Sequence, residues 1–485
     1  MGLTLFGLII AAVGIVILFR AGVMEMLLLM MACSLLGGSA AMILPGGSSI
    51  PPSQFAVLFG LARIVLPGSG RLQQAGEALR ANIFLGLYCL YGVIAAVLAP
   101  VVFRNDIWVP ALRATGRARS LFDTVPLAPS PQNFTVSFYM IGSFLVGIIA
   151  YVAMQEKASA QRYVRMAVVV AWIHIALGVL AAVLKGTPFD LFVDFMRNAN
   201  YNQTNQTAFG IVRITGIFTE PSAYASFAFG WFVFLTECWL RDVMPRRTGP
   251  AALAMGLVLF CSTSSTAYVS LGAYILILIL RGAVLPQYLD LRKVLTLMAG
   301  LLLVVLLASI LAFAFPAALD LAIKILRSAT IDKQDSDSAL QRAFWARTGI
   351  EAFFVSNGIG IGPGSFRSSS FATAMLGSVG LFGSTVLICH IIRALKPLRI
   401  STYCGSREGQ RFGGDAMIGA AAAWAAIGVL IPASIAAPTC DPGFDFAAFT
   451  AVALALRRQR VTVSAPWEAT ERPAPDDAPL TALAR

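Results

Sequence analysis

Apolar runs recur along the whole chain, broken by short polar stretches with clustered Lys and Arg. A run of about twenty apolar residues crosses a bilayer as a helix, because backbone amides find no water partner there. On this pattern spans are expected near 2-19, 23-45, 53-67, 83-103, 134-154, 166-184, 221-240, 251-264, 267-281, 294-315, 371-392, 416-437 and 446-456. The predicted fold class is an all-α polytopic membrane protein of about 13 transmembrane helices. The segment 53-67 is short and carries Arg63, and the spans 251-264 and 267-281 are separated only by polar residues around Ser264, Ser265 and Thr266. The first run lacks a basic leader and a small-residue cleavage site, so it reads as a retained span.

Basic residues in short loops set the orientation. Lys157, Arg162 and Arg165 fall on one side, as do Arg241, Arg246 and Arg247, then Lys396, Arg399, Arg407 and Arg411, and finally Arg457, Arg458 and Arg460. With that side inside, the N-terminus lies outside and the C-terminus inside. Three sizeable loops then face outward, near 104-133, 185-220 and 316-370. The last, about fifty residues long, has the length at which loops usually carry function. The transmembrane unit covers 1-460. The segment 461-485, with Pro473, Pro475, Asp476, Asp477 and Pro479, reads as a disordered cytoplasmic tail.

Composition agrees with this reading. Charged residues make up 12% of the chain, about half the roughly 25% of soluble domains. The net charge of +12 is spread over loops, with no basic run interleaved with aromatics, so nucleic acid is not an expected partner. The seven cysteines form no CxxC pair, and Cys33, Cys89, Cys238, Cys261 and Cys389 sit in apolar runs as small packing residues. Two histidines are too few for a His-rich metal site, and His174 and His390 fall within spans, where packing is the simpler role. There is no GxSxG elbow, no HExxH and no paired broken helix of the kind transporters show. The D-x-D at Asp335 and Asp337 reads as helix capping.

Three stretches carry candidate chemistry. The first, R-x-x-G-x-F-x-E-P-S from Arg213 to Ser222, runs into a span. Thr219 or Glu220 can cap that helix, with Pro221 at its first position. Arg213 lies in an otherwise apolar approach to the membrane, where a charge needs a partner or a wet cavity. The second stretch starts a helix near Asp337, with Arg342 and Trp345 on one face. Arg347 and Glu351 stand four apart and form at least an intrahelical pair, which ranks Arg342 above Arg347. The third is a glycine-rich turn from Asn357 containing Gly362 and Gly364, followed by Arg367 and Ser368 to Ser370. Successive glycine amides can cradle an anion, but no Gly-Lys-Ser/Thr follows, so this is not a nucleotide-binding P-loop.

The first motif, the later R-x-x-W helix and the G-x-G-P-G-S-F run from Gly360 together resemble the Wzy-type polysaccharide polymerases, within the group that also holds the O-antigen ligases. Motif resemblance covers about residues 200-390, and topology the whole chain. It implies a GT-C-like fold with large periplasmic loops in a bacterial inner membrane. It also implies glycosyl transfer from undecaprenyl-diphosphate-linked oligosaccharides at the periplasmic face, with no cofactor and no metal. The expected partners are those lipid-linked oligosaccharides, the bilayer, and a chain-length regulator or export complex. Carried onto this chain, the catalytic set is Arg213, Glu220 and Arg342, and the diphosphate-binding set is Arg213, Arg342, Arg347, Gly362, Gly364 and Arg367. Ligases of the group use a histidine in the large periplasmic loop, and 316-370 has none, which favours polymerase over ligase. A lipid-linked glycan flippase is the alternative from another class.

Overall fold

The computed structural model describes residues 2-43, 48-66, 70-110, 122-199, 207-208, 211-284, 337-396 and 414-456, and a few positions between 292 and 310. The expected span at 294-315 lies largely, and the tail 461-485 wholly, outside these residues, as does 316-336 of the longest loop.

The described chain is built of helices: α1 Leu5–Arg20, α2 Val23–Ser34, α3 Pro52–Val65, α4 Leu72–Ala81, α5 Ile83–Val102, α6 Pro131–Ala153, α7 Ser159–Val183, α8 Phe189–Met196, α9 Pro221–Leu240, α10 Pro245–Cys261, α11 Ser265–Val284, α12 Asp337–Val355, α13 Phe371–Leu395, α14 Gly414–Ala436 and α15 Gly443–Ala455. Seven of them, α5, α6, α7, α9, α11, α13 and α14, are long and apolar enough to cross a membrane, so the protein is a mostly helical, multi-pass membrane protein. The helices α1, α2, α3 and α15 are apolar but shorter. Three small antiparallel ribbons accompany them: β1 Gly2–Leu3, β2 Met42–Ile43 and β3 Ser49–Ile50; β4 Trp108–Pro110 with β5 Thr124–Pro126; and β6 Thr207–Ala208 with β7 Ile211–Val212.

One expected span is corrected outright. The apolar run 23-45 does not form one helix, because α2 stops at Ser34. Its 12 residues reach about 18 Å, short of the roughly 30 Å hydrocarbon core. The chain then passes Gly37 and Gly38, whose missing side chains make room for the Phe218 ring and the Ile217 carbonyl. Gly37 and Gly38 thus meet the approach to α9, and Met42–Ile43 pairs with β1 and β3 where a continued helix was expected. The amphipathic helices α4 and α8 lie in stretches where no span was expected.

Helix α9 is the hub, packed by α7, α10, α11 and α14. Its apolar residues run all round the helix, as a helix enclosed by others requires. Trp231 and Phe234 meet Phe449 of α15 at ring separations of 4.9 and 5.3 Å, and Tyr163 of α7 meets Phe234 at 5.5 Å. Within a bilayer such contacts gain close packing, since lipid is as apolar as the neighbouring helix. His174 stacks on Tyr224 at 3.9 Å and His390 is fully buried near Phe446, so both histidines sit in helix packing. Among the cysteines, Cys33, Cys89 and Cys238 are buried, whereas Cys261 is exposed on the flank of α10.

Candidate functional site

The first motif is held by residues from well outside it. Arg197, at the end of α8, is buried and donates to the Thr215 hydroxyl at 2.6 Å and to the Gly216 carbonyl. Gly216 has φ +52°, a left-handed turn that glycine adopts without Cβ strain. It directs the chain from Arg213 into α9. Glu220 takes the N-cap position in extended conformation, with Pro221 at the first helical position. Its carboxylate makes no capping bond to the helix amides; it accepts the Ser222 hydroxyl instead.

The Arg213 guanidinium reaches across to the polar turn between α10 and α11 and donates to the Thr263 carbonyl at 3.1 Å. Thr263 itself has φ +50°, which turns that carbonyl out of the helix pattern. Burial lowers the pKa of Arg213 from the usual arginine range, and the like charge of Arg342 lowers it further; Glu220 and Tyr268 act in the opposite direction. Arg213, Glu220, Tyr268 and Arg342 therefore share one electrostatic neighbourhood, though they come from three parts of the chain.

Helix α12 brings the second motif to the same place. Arg342 is partly buried, and its carbonyl accepts the Ser369 hydroxyl at 2.6 Å. Trp345, one turn on, is buried at 7% exposure, and the Arg367 guanidinium lies over its ring at 4.4 Å. The backbone amide of Arg367 donates to the Pro110 carbonyl at 3.0 Å, which fastens it to β4. Arg347 stands apart from Arg342. Five residues after Arg342 it points well away around the helix, with 80% of its side chain exposed, and pairs with Glu351 at 2.8 Å.

The glycine-rich turn packs inside the bundle. It is buried from Gly360 to Phe366, and it does not offer a row of open amides. The Gly362 amide donates to the Ser378 carbonyl at 3.0 Å, and the Ile361 amide to Gly377 at 2.8 Å. These bonds enter α13 where Gly380, at φ +59°, interrupts its helical course. Gly362 and Gly364 have φ +90° and +83°, and a Cβ there would lie 2.5 Å from the Ala95 carbonyl oxygen and 2.4 Å from that of Gln132. Both glycines serve close approach to α5 and α6. Asn133 completes the fastening, donating to the Pro363 carbonyl at 2.8 Å and to the Ser365 hydroxyl at 3.0 Å. The turn is a clamp that sets where Arg367 emerges.

At one end of the bundle, then, stand the guanidinium groups of Arg213, Arg342 and Arg367, the Glu220 carboxylate, and the hydroxyls of Ser369 and Tyr268. Such a set can hold a polyanion while a nearby carboxylate accepts a proton. Sequence reasoning missed Arg197, the Thr263 carbonyl and Tyr268 as members or supports. The polar run after α10 was visible as a break between spans, but which side chain would meet it was not. Comparison of the chain with models of known families, with curated proteins and with solved structures found no match in any of the three.

Proposed function

We propose that this protein is a glycosyltransferase that polymerises undecaprenyl-diphosphate-linked oligosaccharide repeat units at the outer face of a bacterial inner membrane. The observation that carries the reading is that Arg213 and Arg342, from separated segments, lie close to Glu220, with Arg367 held over Trp345 one helical turn from Arg342. Like charges repel, so arginines brought together at the end of a membrane bundle favour an anion in their midst. A lipid-borne diphosphate fits that demand, and fixed guanidinium groups stabilise the charge that develops on it as it leaves.

In the reaction, a hydroxyl oxygen of the incoming repeat unit attacks the anomeric carbon of the growing chain. The bond from that carbon to the diphosphate oxygen breaks, and its electron pair leaves with the carrier. The hydroxyl proton passes to the Glu220 carboxylate, and direct displacement inverts the anomeric centre. The N-out orientation and the GT-C-like arrangement belong to the same proposal.

The test is reconstitution of the purified chain with lipid-linked repeat units. Wild-type protein lengthens the glycan, whereas Arg213→Ala and Arg342→Ala insert normally and make no polymer. Wild-type yield from either variant removes this site. Flipping without lengthening identifies a transporter, and transfer only to a lipid A core acceptor identifies a ligase.

A further inference from the structure

At the end of the bundle opposite the arginine cluster, a cavity of about 570 Å³ is lined by Arg165 of α7 and by Met244, Pro245, Arg246 and Arg247 at the start of α10. The two ends of α10 are about 25 Å apart, so this cavity is separate from the site at Arg213. All three arginines are exposed, and none forms an ion pair among the described residues. The nearest acid in sequence, Asp242, is engaged by Lys293 at 2.7 Å. Arg246 and Arg247 also stand in the first turn of α10, where cations oppose the helix dipole; that turn has no acidic residue, and Met244 makes no side-chain cap.

The same two helices carry apolar exposed stripes leading away from the arginines. On α10, Leu253 and Leu257 follow Arg246 at seven and eleven residues and are 75% and 63% exposed. On α7, Val169 and Trp172 follow Arg165 at four and seven residues and are 47% and 46% exposed. These spacings keep each stripe on one helix face, and α7 packs directly on α10. A molecule that satisfies both features has a phosphate at one end and acyl chains at the other.

The geometry points to a binding site for one anionic phospholipid, its headgroup phosphate held by Arg165, Arg246 and Arg247 and its chains laid along α7 and α10. The site is independent of the proposed transferase activity. Full-length protein is exchanged into detergent and titrated with phosphatidylglycerol, phosphatidylcholine or inorganic phosphate, reading lipid retention by native mass spectrometry together with thermal stability. Phosphatidylglycerol is expected to be retained and stabilising, and the other two not. In Arg165→Gln/Arg246→Gln/Arg247→Gln its apparent affinity should fall about a hundredfold, and in Arg165→Gln alone about fivefold. The latter change, at an exposed position, keeps the test alive if the triple variant does not fold. Arg80→Gln/Lys157→Gln removes exposed charge elsewhere and should leave binding unchanged. Equal retention by the arginine variants, or equal loss in the Arg80/Lys157 control, overturns the site. Stabilisation by inorganic phosphate alone also overturns it, by identifying a free-anion site.

Discussion

The Arg367 guanidinium lies 4.4 Å from the centre of the Trp345 ring, so the third motif is positioned by the second. An arginine over an indole face is held by the ring quadrupole. The Pro110 carbonyl fixes the backbone of the same residue. Arg367 is thus aimed by two neighbours distant in sequence, and Trp345 acts as a positioning residue.

Trp345→Ala should slow glycan lengthening about twofold to thirtyfold, the range of a cation–π contact of about 0.5–2 kcal/mol. Trp345→Phe keeps a ring face and should recover most of the rate. Initial rates against lipid-linked acceptor, paired with thermal unfolding in detergent, separate misplacement of Arg367 from loss of fold. Equal damage from both substitutions would detach Trp345 from Arg367's function.

Arg347→Ala should leave activity within about twofold of wild type. Its pair with Glu351 is on the surface, with side-chain exposures of 80% and 47%, and such pairs contribute about 1 kcal/mol or less. The matched measurement is Arg342→Ala, one helix face away, which should abolish polymer. A strong effect of Arg347→Ala would place the diphosphate on the outer side of α12.

Gly362→Ala should act on stability first. The left-handed backbone costs a non-glycine residue roughly 1–2 kcal/mol, and its Cβ would press on the Ala95 carbonyl at 2.5 Å. A lowered unfolding temperature, with unchanged acceptor KM in the folded fraction, is the expected outcome. Normal stability with a raised KM would restore the anion-cradle role that the buried amide argues against.

Glu237 is fully buried in α9 and pairs with Arg241 and, at 2.5 Å, with Arg281, while the Tyr274 hydroxyl donates to it at 2.8 Å. Removing the carboxylate takes the opposite charge away from two guanidinium groups in the bundle. Glu237→Ala should therefore destabilise by about 3–5 kcal/mol, seen as a large drop in unfolding temperature or in yield of folded protein. Near-wild-type stability would mean that water or lipid reaches these arginines.

Arg213, Glu220, Arg342 and Arg367 were legible in the sequence because each stands out from its surroundings: a charge at the approach to a membrane helix, or an arginine after a run of glycines. Arg197 was not, because an arginine closing a short amphipathic helix looks like an ordinary surface residue until the helix is folded back over Thr215. The glycine-rich turn is ambiguous in sequence for a related reason. A row of glycines signals left-handed backbone equally well for an anion cradle and for close approach of helices, and only the partners of the Ile361 and Gly362 amides separate the two.

Hydropathy alone determined that this is a multi-pass helical membrane protein, because the cost of unpaired amides in lipid acts on each run of residues locally. It also marked where most helices begin and end. Which runs stay helical long enough to cross was not legible: α2 stops at Ser34, and Gly37 and Gly38 beyond it fit closely against Phe218 and Ile217. The meeting of Arg213 with Thr263, and of Arg367 with Trp345, joins residues 50 and 22 positions apart. Such contacts depend on how helices stack and where they kink, a property of their joint packing that no local pattern encodes.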